Sequence, residues 1–417
     1  MPAVDRARRV SPRTRVAAAL GRATSELSRI LKRGGGSVIG ARVTLVLAPD
    51  ALDELAAGHR IAIVSGTNGK STTTAMLAAA CSAGGMHIVS NIEGANLRSG
   101  IVALLSSKRA RDIDLAVLEV DELAMPSLLP SFSEPVVVLL NLSRDQLDRF
   151  GEVRTIAAQW RKALGAQPAK VVANADDPLV VYGAGTARDV TFVGVGLRWR
   201  HDAASCPNCG RPIKRDGRDW WCECGLRRPV AYELEGDELV KGDERIALRP
   251  GVPGQHNVGN AAMAVVAAFE LGVPFSVSAG ALGSVTSVAG RYQTIRVGST
   301  SARLLLAKNP AGWGELLSMI EGDERPLVLA INARIADGKD PSWLWDVEFE
   351  RLKGRRVVAA GERAADLAVR LRYAEVACEV WDGAILDELA RFDAPEVDVI
   401  ANYTVFADVV RDMENVG

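Results

Sequence analysis

The feature that most constrains the fold is a short apolar run that ends in a glycine-containing turn and continues into a helical stretch. Ile61–Val64 forms the run, SGTNGK follows it, and the helical stretch reaches Gly84 and Gly85, which predict its end. Such a turn presents free backbone N–H groups and a helix N-terminus to an anion. We therefore predict a nucleotide loop in which Lys70 reaches the outer phosphates and the Ser71 hydroxyl is available to Mg²⁺.

The match to the standard phosphate-loop pattern is incomplete. Val64 stands where G-x-x-x-x-G-K-[ST] has its first glycine. A Gly-Lys-Ser turn between a strand and a helix also arises by chance. The turn alone therefore leaves a nucleotide site and an ordinary turn equally open.

Further apolar runs alternate with helical stretches, which is the pattern of a mainly parallel sheet covered by helices. DLAVLEVDE ends in three carboxylates, Glu119, Asp121 and Glu122, and PVVVLLNLSRDQLDRFG ends in a polar loop. Open α/β sheets bind their ligands at the carboxyl ends of the strands. We expect Glu119, before the other two, to hold Mg²⁺ against a triphosphate, and solvated loop carboxylates are the alternative for all three.

Composition excludes several classes of protein. The 417 residues suggest two or three domains, and 50 basic against 51 acidic side chains leave no overall field that would attract nucleic acid. The longest apolar runs, such as Pro135–Leu140, are far shorter than the roughly 18 residues of a membrane helix. The N-terminal segment lacks the apolar block and cleavage site of a secretory signal, so we expect a cytoplasmic protein that binds no nucleic acid.

Residues 1–36 predict one amphipathic helix followed by a glycine linker. Five side chains recur at roughly helical spacing with arginines between them: Val16, Leu20, Thr24, Leu27 and Leu31. Gly34–Gly36 is expected to end the helix. The favoured interpretation is a helix that packs on the protein body or on a partner, and contact of the arginines with the inner leaflet of a membrane is the alternative.

Four of the six cysteines lie in one short segment, CPNCGRPIKRDGRDWWCEC. They are Cys206, Cys209, Cys222 and Cys224. Their spacing predicts a tetrahedral zinc site, which has no open position for substrate and is therefore structural. A disulfide-bonded hairpin is the alternative, and a reducing compartment disfavours it. Cys81 and Cys378 lie in apolar surroundings and are interpreted as packing residues.

A second α/β pattern begins at about residue 297. Its loop IADGKDPSWLWD follows the predicted strand 327–332 and carries Asp337, Asp340 and Asp346 at a strand end, where functional residues usually lie. Local structure offers another explanation for two of these aspartates. Asp340 precedes a proline, as helix N-caps often do, and Asp337 precedes a glycine, which is a turn signature.

SGTNGKSTTT resembles the ATP loop of Mur ligases and folylpolyglutamate synthases. Other blocks are similar, in the same order, to the MurT family of ligase-like subunits: NIEGANLRSG, LEVDE, NLSRDQLDRFGE, NADDP, PGQHNVGNAAMA and KNPAG. The resemblance runs from about residue 37 to 410 and includes the four-cysteine insert, which ordinary Mur ligases lack. It implies an α/β fold with a Mur ligase-type central ATP-binding domain (37–296), a four-cysteine zinc-ribbon insertion (about 203–228) and a smaller Rossmann-like α/β C-terminal domain (297–417).

The resemblance also implies roles for single residues. Lys70 would bind phosphates, while Ser71 and Glu119 would hold Mg²⁺ at the reacting centre. The implied nucleotide contacts are Thr67, Asn68, Gly69, Lys70, Ser71 and Thr72 in the loop and His256, Asn257 and Asn260 beside the base. Without the resemblance, His256 is as readily a packing residue at a helix start. Likewise, three residues are as readily turn caps: Asn174, Asp176 and Asp177.

The activity that the resemblance implies is that of an ATP-dependent carbon–nitrogen ligase. Such an enzyme converts the α-carboxylate of the D-isoglutamyl residue of lipid II into an acyl phosphate, and ammonia then displaces phosphate to give D-isoglutamine. About 60 residues precede the first strand, too few for the UDP-binding domain of many Mur ligases, which fits a substrate not held through UDP. Because lipid II is membrane-linked, we expect peripheral contact with the inner membrane face.

The ammonia requires a glutaminase, whose chemistry needs a cysteine activated by a histidine. His87 lies near Cys81 in the sequence, but this pair is better interpreted as packing because Cys81 falls inside an apolar helix. The resemblance implies a heterodimer with a GatD-like class I glutamine amidotransferase, in which Asp340 of this chain completes the partner's catalytic triad.

Two other functions stay open on the sequence. One is a stand-alone ligase that joins an amino acid to a carboxylate and needs no glutaminase. The other is a nucleotide-switched, zinc-containing binding protein. The even charge and the lack of an aromatic–basic cluster beyond Trp220–Trp221 argue against a nucleic-acid contact in the second.

Overall fold

The computed structural model describes most of the chain. The described residues are 10–30, 37–91, 95–107, 110, 112–144, 153–196, 199–287 and 292–416. Four parts of the sequence-based predictions lie outside these ranges: Leu31 and Gly34–Gly36 of the N-terminal segment, and residues 92–94 and 145–152 of the blocks that carry the family resemblance.

The chain divides into two compact units. The first comprises Met1–Leu142, Val153–Gly251 and His256–Val285, and the second comprises Ser143–Glu152, Val252–Gln255 and Thr286–Gly417. Each unit has its own sheet and its own apolar core.

The strands of the first unit run through the segment from residue 60 to residue 247. In chain order they are β1 (Arg60–Ser65), β2 (Ile88–Ser90), β3 (Leu115–Glu119), β4 (Val136–Leu139), β5 (Lys170–Asn174), β6 (Asp189–Gly194), β7 (Lys214–Asp216), β8 (Asp219–Trp221), β9 (Tyr232–Glu235), β10 (Glu238–Lys241) and β11 (Glu244–Ala247). Strands β7 and β8 form a separate antiparallel hairpin. In the described part of the chain, the other strands form one sheet in the order β11-β10-β9-β6-β5-β4-β1-β3-β2. Pairing is parallel from β2 to β9 and antiparallel from β9 to β11.

The central strands have the composition of strands that are buried on both faces. β1, β3 and β4 read RIAIVS, LAVLE and VVVL, and every side chain in them except Arg60 is buried. Such strands need helices on both sides, and the shared core includes Ile63 and Leu118 from the sheet and Trp160 from a helix. Parallel pairing also brings the carboxyl ends of these three strands to one edge of the sheet.

The first ten helices precede residue 282. They are α1 (Pro12–Ile30), α2 (Ser37–Leu47), α3 (Ala51–Ala56), α4 (Lys70–Ala83), α5 (Arg98–Leu105), α6 (Met125–Leu128), α7 (Val153–Ala166), α8 (Pro178–Ala184), α9 (Gln255–Glu270) and α10 (Phe275–Ala281). Helix α4 ends at the predicted place, with Gly84 as its C-cap. None of the helices in the described ranges is both long enough and apolar enough to cross a lipid bilayer.

The second unit contains a smaller sheet with helices on both faces. Its strands are β12 (Tyr292–Val297), β13 (Thr300–Leu306), β14 (Leu327–Ala330), β15 (Val357–Ala360), β16 (Cys378–Val380) and β17 (Glu396–Ala401), in the order β12-β13-β17-β14-β15-β16. Its helices are α11 (Pro310–Met319), α12 (Ala364–Tyr373), α13 (Ile385–Arg391) and α14 (Tyr403–Val416). All pairings except β12–β13 are parallel. Leu329 and Val328 belong to two different apolar clusters, as neighbours on a strand covered on both faces should. The predicted fold class, an α/β protein with mainly parallel sheets, is confirmed.

The N-terminal helix forms as predicted, but its large apolar side chains do not pack on the described part of the protein body. Val16, Leu20 and Leu27 are 60%, 50% and 58% exposed. Helix α1 instead packs on α2 through small residues, since a Cβ on Gly21 would lie 2.5 Å from the carbonyl oxygen of Gly40. Because the two backbones approach this closely, larger side chains are excluded from the contact and remain exposed.

Candidate active site at the carboxyl edge of the first sheet

Residues 66–69 connect β1 to α4 and form a tight loop at the carboxyl edge of the first sheet. Gly66 and Gly69 have φ angles of +141° and +85°, a region that side chains disfavour. A Cβ on Gly66 would also lie 3.0 Å from backbone atoms of Asn141. Any other residue at position 66 would therefore strain the loop and push it away from the neighbouring strand.

Asn141, which follows β4, holds this loop with both its backbone and its side chain. Its carbonyl oxygen accepts from the N–H of Thr67 at 2.8 Å, and its Oδ1 accepts from the N–H of Asn68 at 3.0 Å. Its Nδ2 donates to the carbonyl oxygen of Asn68 at 3.0 Å. Nothing in the sequence marks Asn141 for this role, because polar residues are common at strand ends and only the pairing of β4 with β1 brings it beside the loop.

The Lys70 side chain is buried, and oxygen atoms enclose its ammonium group. Nζ donates to the carbonyl oxygens of Gly66 and Thr67, the second at 3.2 Å, and forms an ion pair with Glu122 at 2.8 Å. An ammonium group has three N–H donors, so these three contacts use all of them. A phosphate bound by Lys70 would therefore replace at least one of the contacts.

Ser71 and Glu119 meet at the start of α4. Ser71 Oγ donates to Glu119 Oε2 at 2.6 Å, and Glu119, the last residue of β3, is 2% exposed. Asn91 fixes the backbone of Glu119, because its Oδ1 accepts from the Glu119 N–H at 2.7 Å and its Nδ2 donates to the Glu119 carbonyl oxygen at 2.9 Å. A carboxylate and a hydroxyl this close offer two hard oxygen ligands of the kind that Mg²⁺ prefers.

The two other carboxylates after β3 have different surroundings. Asp121 Oδ1 accepts from the N–H groups of Leu123 and Ala124 at 2.9 and 3.3 Å, so Asp121 shapes the turn that leads into α6. Burial, and after it the nearby charge of Glu122, raise the pKa of Asp121. Glu119 and Glu122 are buried, so the alternative of solvated loop carboxylates is wrong for both.

The polar residues at the start of α9 reach the loop through Asn260. A Cβ on Gly69 would lie 2.5 Å from Asn260 Oδ1, so the amide of Asn260 packs directly on the loop. Asn260 Nδ2 donates to Asn257 Oδ1 at 3.1 Å, and His256 precedes Asn257 on the first turn of the helix. Thr72, on the first turn of α4, is buried. The structure thus brings Asn260, and through it Asn257, to the predicted nucleotide loop.

Two polar residues at the end of β5 and just after it serve the fold locally. Asp177 caps α8 by accepting from the N–H of Leu179 at 2.9 Å, and its other oxygen accepts from the N–H of Leu142 at 2.8 Å. Burial raises the pKa of Asp177 to about 6. Asn174 Oδ1 accepts from the N–H of Asp176 at 2.9 Å, as a turn cap does, and its Nδ2 donates to the carbonyl oxygen of Leu140 at 2.8 Å. These contacts support the capping interpretation of Asn174 and Asp177.

The four clustered cysteines converge in space. Their ligand atoms all lie within 4.8 Å of one another: Cys206, Cys209, Cys222 and Cys224. The Sγ atoms of Cys209 and Cys222 are 3.4 Å apart, and those of Cys206 and Cys224 are 3.6 Å apart. Both distances far exceed the roughly 2.05 Å of a disulfide bond, so the alternative of a disulfide hairpin is wrong. Zinc–sulfur bonds of about 2.3 Å place the sulfurs of a tetrahedral site about 3.8 Å apart, which fits this cluster.

The insert that carries the cysteines is anchored to the polar loop after β5. Trp220 is 1% exposed, and its Nε1 donates to the carbonyl oxygen of Ala175 at 3.0 Å. Arg228 Nε donates to Asp176 Oδ1 at 2.7 Å, and Arg228 also pairs with Glu233 at 2.8 Å. Asp176 is therefore an anchor for the insert, a role that the sequence does not reveal.

In the second unit, Asp340 lies in an exposed loop after β14. Its Oδ1 accepts from the N–H of Ser342 at 2.9 Å, and its Oδ2 accepts from the Ser342 hydroxyl at 2.9 Å. Asp340 thus forms an Asx turn that leads into the short 3₁₀ helix Ser342–Asp346, whose N-cap is Pro341. The expected position of the cap is wrong by one residue, and the carboxylate remains accessible from solvent.

A closed polar network lies at the carboxyl edge of the second sheet. Asp337 is 6% exposed and accepts from both the N–H and the hydroxyl of Thr404, the first at 2.9 Å. The N–H of Asn332 donates to Asn402 Oδ1 at 3.2 Å, and Asn402 Nδ2 donates to the Asn332 carbonyl oxygen at 2.7 Å. Asp337 is therefore more than a turn residue, because it ties its loop to the start of α14.

Comparison with known families agrees with this arrangement. A Mur ligase middle domain profile matches residues 64–268, and a MurT ligase C-terminal profile matches residues 306–406. Subunit MurT of the glutamine-hydrolysing lipid II isoglutaminyl synthase of Streptococcus pneumoniae (strain ATCC BAA-255 / R6) is 30% identical over 92% of this chain and 92% of that protein. The chain belongs to the MurT family.

A second MurT relative and several solved structures are also similar. Subunit MurT of Staphylococcus aureus (strain COL) is 29% identical over 85% of this chain and 87% of that protein. A pseudomurein peptide ligase type C from Methanothermus fervidus has a TM-score of 0.66 and 19% identity, over 86% of this chain and 79% of that chain. A bifunctional folylpolyglutamate synthase/dihydrofolate synthase from Yersinia pestis, complexed with AMPPNP and Mn ion, has a TM-score of 0.60 and 18% identity, over 88% of this chain and 92% of that chain.

The comparisons confirm the predicted family and fold. At such identities the two solved structures show the fold alone, which is that of the Mur ligases. Mur ligases are ATP-dependent ligases, so membership of the MurT family implies ATP and Mg²⁺ as cofactors.

Proposed function

We propose that the chain is the ligase subunit of a glutamine-dependent enzyme that amidates the D-isoglutamyl α-carboxylate of lipid II. The observation that carries this proposal is the meeting of Lys70, Ser71 and Glu119 at one sheet edge in a chain of the MurT family. The first unit binds ATP, and the second unit contacts the glutaminase partner. Because lipid II is linked to the membrane, the reaction takes place at its inner, cytoplasmic face.

The nucleotide phosphates bind at the loop between β1 and α4. The N–H groups of Thr67 and Asn68 are engaged by Asn141, so these residues shape the loop. The N–H groups of the first turn of α4 have no partners within the helix and are available to the phosphates. Lys70 exchanges a contact with a carbonyl oxygen or with Glu122 for one with a phosphate. His256, Asn257 and Asn260 contact the nucleotide from α9.

Ser71 and Glu119 hold Mg²⁺ in this proposal. Their chemistry fits, because a buried carboxylate and a hydroxyl lie 2.6 Å apart and Asn91 fixes the backbone from which the Glu119 side chain extends. When bound, Mg²⁺ offsets negative charge on the phosphate oxygens.

The proposed reaction has two steps, phosphorylation of the substrate carboxylate and its amidation. The substrate α-carboxylate attacks the γ-phosphate of ATP, ADP leaves, and the acyl phosphate that forms is attacked by ammonia, which releases phosphate and leaves the amide. Lys70 favours the first step because its positive charge stabilises the negative charge that moves onto the leaving phosphate.

The described part of this chain does not supply a glutaminase nucleophile outside the cysteine cluster. Burial raises the pKa of Cys81 to about 12, which leaves the thiol unreactive at neutral pH. The His87 side chain is 84% exposed and lies 3.5 Å from Asp114. The packing interpretation is therefore supported for Cys81 but wrong for His87, whose side chain is exposed, and burial also raises the pKa of Cys378. In this proposal ammonia comes from another polypeptide.

That polypeptide is a GatD-like class I glutamine amidotransferase, and Asp340 orients the histidine of its triad. An exposed group of apolar side chains in the second unit supports a docking surface there: Ile335, Trp345, Val369 and Tyr373 are 70%, 55%, 50% and 72% exposed. The rings of Trp345 and Tyr373 pack edge to face at 5.3 Å. Exposed aromatic side chains of this kind are typical of protein interfaces.

Zinc binds the four cysteines of the insert and stabilises it. With four protein ligands the metal has no open position, so it takes no part in the chemistry. Its effect is to hold the insert that Trp220 and Arg228 anchor to the loop after β5.

The nucleotide proposal predicts distinct effects of two substitutions. Lys70→Ala lowers ATP-dependent amidation by roughly 100-fold or more, because it removes a positioned charge from the phosphates. Glu119→Gln lowers the rate through weaker Mg²⁺ binding, so a higher Mg²⁺ concentration partly restores it. The measurement is the initial rate of lipid II amidation with saturating ammonium.

Two control variants make that measurement specific. Lys162→Ala removes an exposed lysine from α7, and Asp121→Asn keeps the oxygen that accepts from Leu123 and Ala124. Both controls should retain near-normal rates. A near-normal rate for Lys70→Ala would contradict the ligase proposal.

The triad proposal predicts a split between two nitrogen sources. Asp340→Asn keeps an oxygen for the Ser342 N–H but cannot stabilise the partner's imidazolium, so glutamine-driven amidation falls by about 10³-fold or more. Ammonium-driven amidation stays near normal. Asp366→Asn, at an exposed aspartate of α12, is the control and should change neither rate.

Two other outcomes for Asp340→Asn would contradict the triad role. Equal loss with glutamine and with ammonium would refute a triad role, since ammonium bypasses the glutaminase. Near-normal rates with both sources would show that Asp340 only forms its local turn.

The zinc proposal predicts about one zinc per chain in protein purified without chelators. Cys209→Ser lowers the metal content and the thermal stability of the insert, but ATP binding by the isolated chain persists. Cys378→Ser, which changes a free cysteine outside the cluster, should leave the zinc content unchanged. Absence of metal from the unaltered chain would contradict the proposal, as would loss of catalysis in Cys209→Ser with metal and stability intact.

A further inference from the structure

Helices α1 and α2 each carry exposed apolar side chains, which together we call the α1–α2 face. Six exposed side chains define it: Val16 (60% exposed), Leu20 (50%), Leu27 (58%), Ile39 (43%), Val46 (79%) and Leu47 (40%). The first three recur after four and seven residues, and Ile39 and Val46 are seven apart, so each set lies on one side of its helix. The nucleotide site uses none of these residues.

The way the two helices pack explains why this face stays exposed. Gly21 and Gly40 bring the backbones together, and Thr44 Oγ1 of α2 donates to the carbonyl oxygen of Ala17 of α1 at 3.3 Å. Ala17, one turn before Gly21, is 1% exposed. The contact between the helices is thus made by small residues, and the large apolar side chains do not contribute to it.

The helix pair is also fixed to the first unit. Arg22 donates to the carbonyl oxygen of Ser106, at the end of α5, at 2.9 Å. The N–H of Ser11 donates to the Glu54 carboxylate, in α3, at 2.7 Å. The α1–α2 face is therefore presented on a supported surface, which lowers the entropy lost when a ligand surface binds it.

Charge around the face is one-sided. The two helices, residues 12–30 and 37–47, contain five Arg and one Glu, whereas the whole chain contains 50 basic and 51 acidic residues. Arg13, Arg15 and Arg42 are exposed on the two helices. An apolar helix face flanked by arginines matches an anionic lipid surface, since the apolar side chains enter the acyl boundary while the guanidinium groups meet the headgroups.

We propose that the α1–α2 face docks the chain on an anionic lipid bilayer. This inference rests on the proposed function, because a lipid-linked substrate is reached from the membrane surface. A second copy of the chain is a poorer occupant, since it would bring two arginine-rich segments together in a non-aqueous contact.

The test measures cosedimentation of the full-length chain with vesicles that contain no lipid II. Vesicles of phosphatidylcholine with phosphatidylglycerol should bind the chain, vesicles of phosphatidylcholine alone should bind it much more weakly, and about 0.5 M salt should weaken the first binding. Leu20→Glu and Leu27→Glu should each reduce the binding by roughly tenfold, because each loses an apolar side chain from the bilayer. Arg15→Gln and Arg42→Gln should each reduce it roughly fivefold.

Two controls separate docking from loss of fold. Leu and Glu have similar helix propensities and both leucines are exposed, so thermal unfolding of the leucine variants should match that of the unaltered chain. Val380→Glu makes the same kind of change at an exposed residue of β16, with the side chain 54% exposed, and should not alter vesicle binding. Equal binding by the leucine variants, Val380→Glu and the unaltered chain would overturn the proposal.

Three further outcomes distinguish membrane docking from contact between two copies and from the proposed function. If the unaltered chain is dimeric by light scattering and Leu20→Glu makes it monomeric without altering vesicle binding, the face joins two copies and the membrane proposal is wrong. If no vesicle binds but the complete enzyme amidates detergent-dispersed lipid II, the docking proposal fails and the proposed function stands. If vesicles bind as expected but no ATP-dependent amidation occurs, docking stands and the proposed function fails.

Discussion

The hydrogen bonds between Asn141 and the loop at residues 66–69 are the contact on which the candidate site depends. They fix the loop against β4, and the loop in turn fixes where α4 begins and therefore where Lys70 and Ser71 lie. The parallel register of β1 with β3 pairs Val64 with Glu119, which brings the carboxylate to the same edge. A parallel sheet thus places residues that are distant in sequence around one helix start.

The burial of charge at this edge is costly for a fold and useful for catalysis. Removing an ammonium or a carboxylate from water costs several kcal/mol per ion, and a buried pair often adds no net stability. Lys70 is nonetheless 4% exposed and Glu119 2% exposed, and both are held by specific partners. Because water is largely excluded here, the attraction of Lys70 for a phosphate would be stronger than in solvent. The arrangement is therefore better suited to a charged ligand than to stability alone.

Part of the fold and of the candidate site could be predicted from the sequence. The remaining features depend on contacts between distant residues, which no local sequence pattern encodes. The strand–loop–helix at residues 61–84 and the carboxylate Glu119 were predictable, because buried strands and helix starts have distinct compositions. Asn141 and Asn91 were not, since their roles arise from strand pairing and not from spacing. The face of α1 that meets α2 was not predicted: the pattern marks the large apolar side chains, whereas the glycines at 21 and 40 decide which face meets α2. The role of Asp340 does not follow from the sequence, because the same carboxylate can form a local turn and also contact a partner subunit.

The central claim is that ATP activates a carboxylate of lipid II at the edge of the first sheet. It is tested most directly with lipid II that carries ¹⁸O in both oxygens of its D-isoglutamyl α-carboxylate, given to the complete enzyme with ATP, Mg²⁺ and glutamine. An acyl phosphate leaves one carboxylate oxygen on phosphorus, so the account predicts one ¹⁸O in the released phosphate for each amide formed. Amide formation with no ¹⁸O in the phosphate would contradict it.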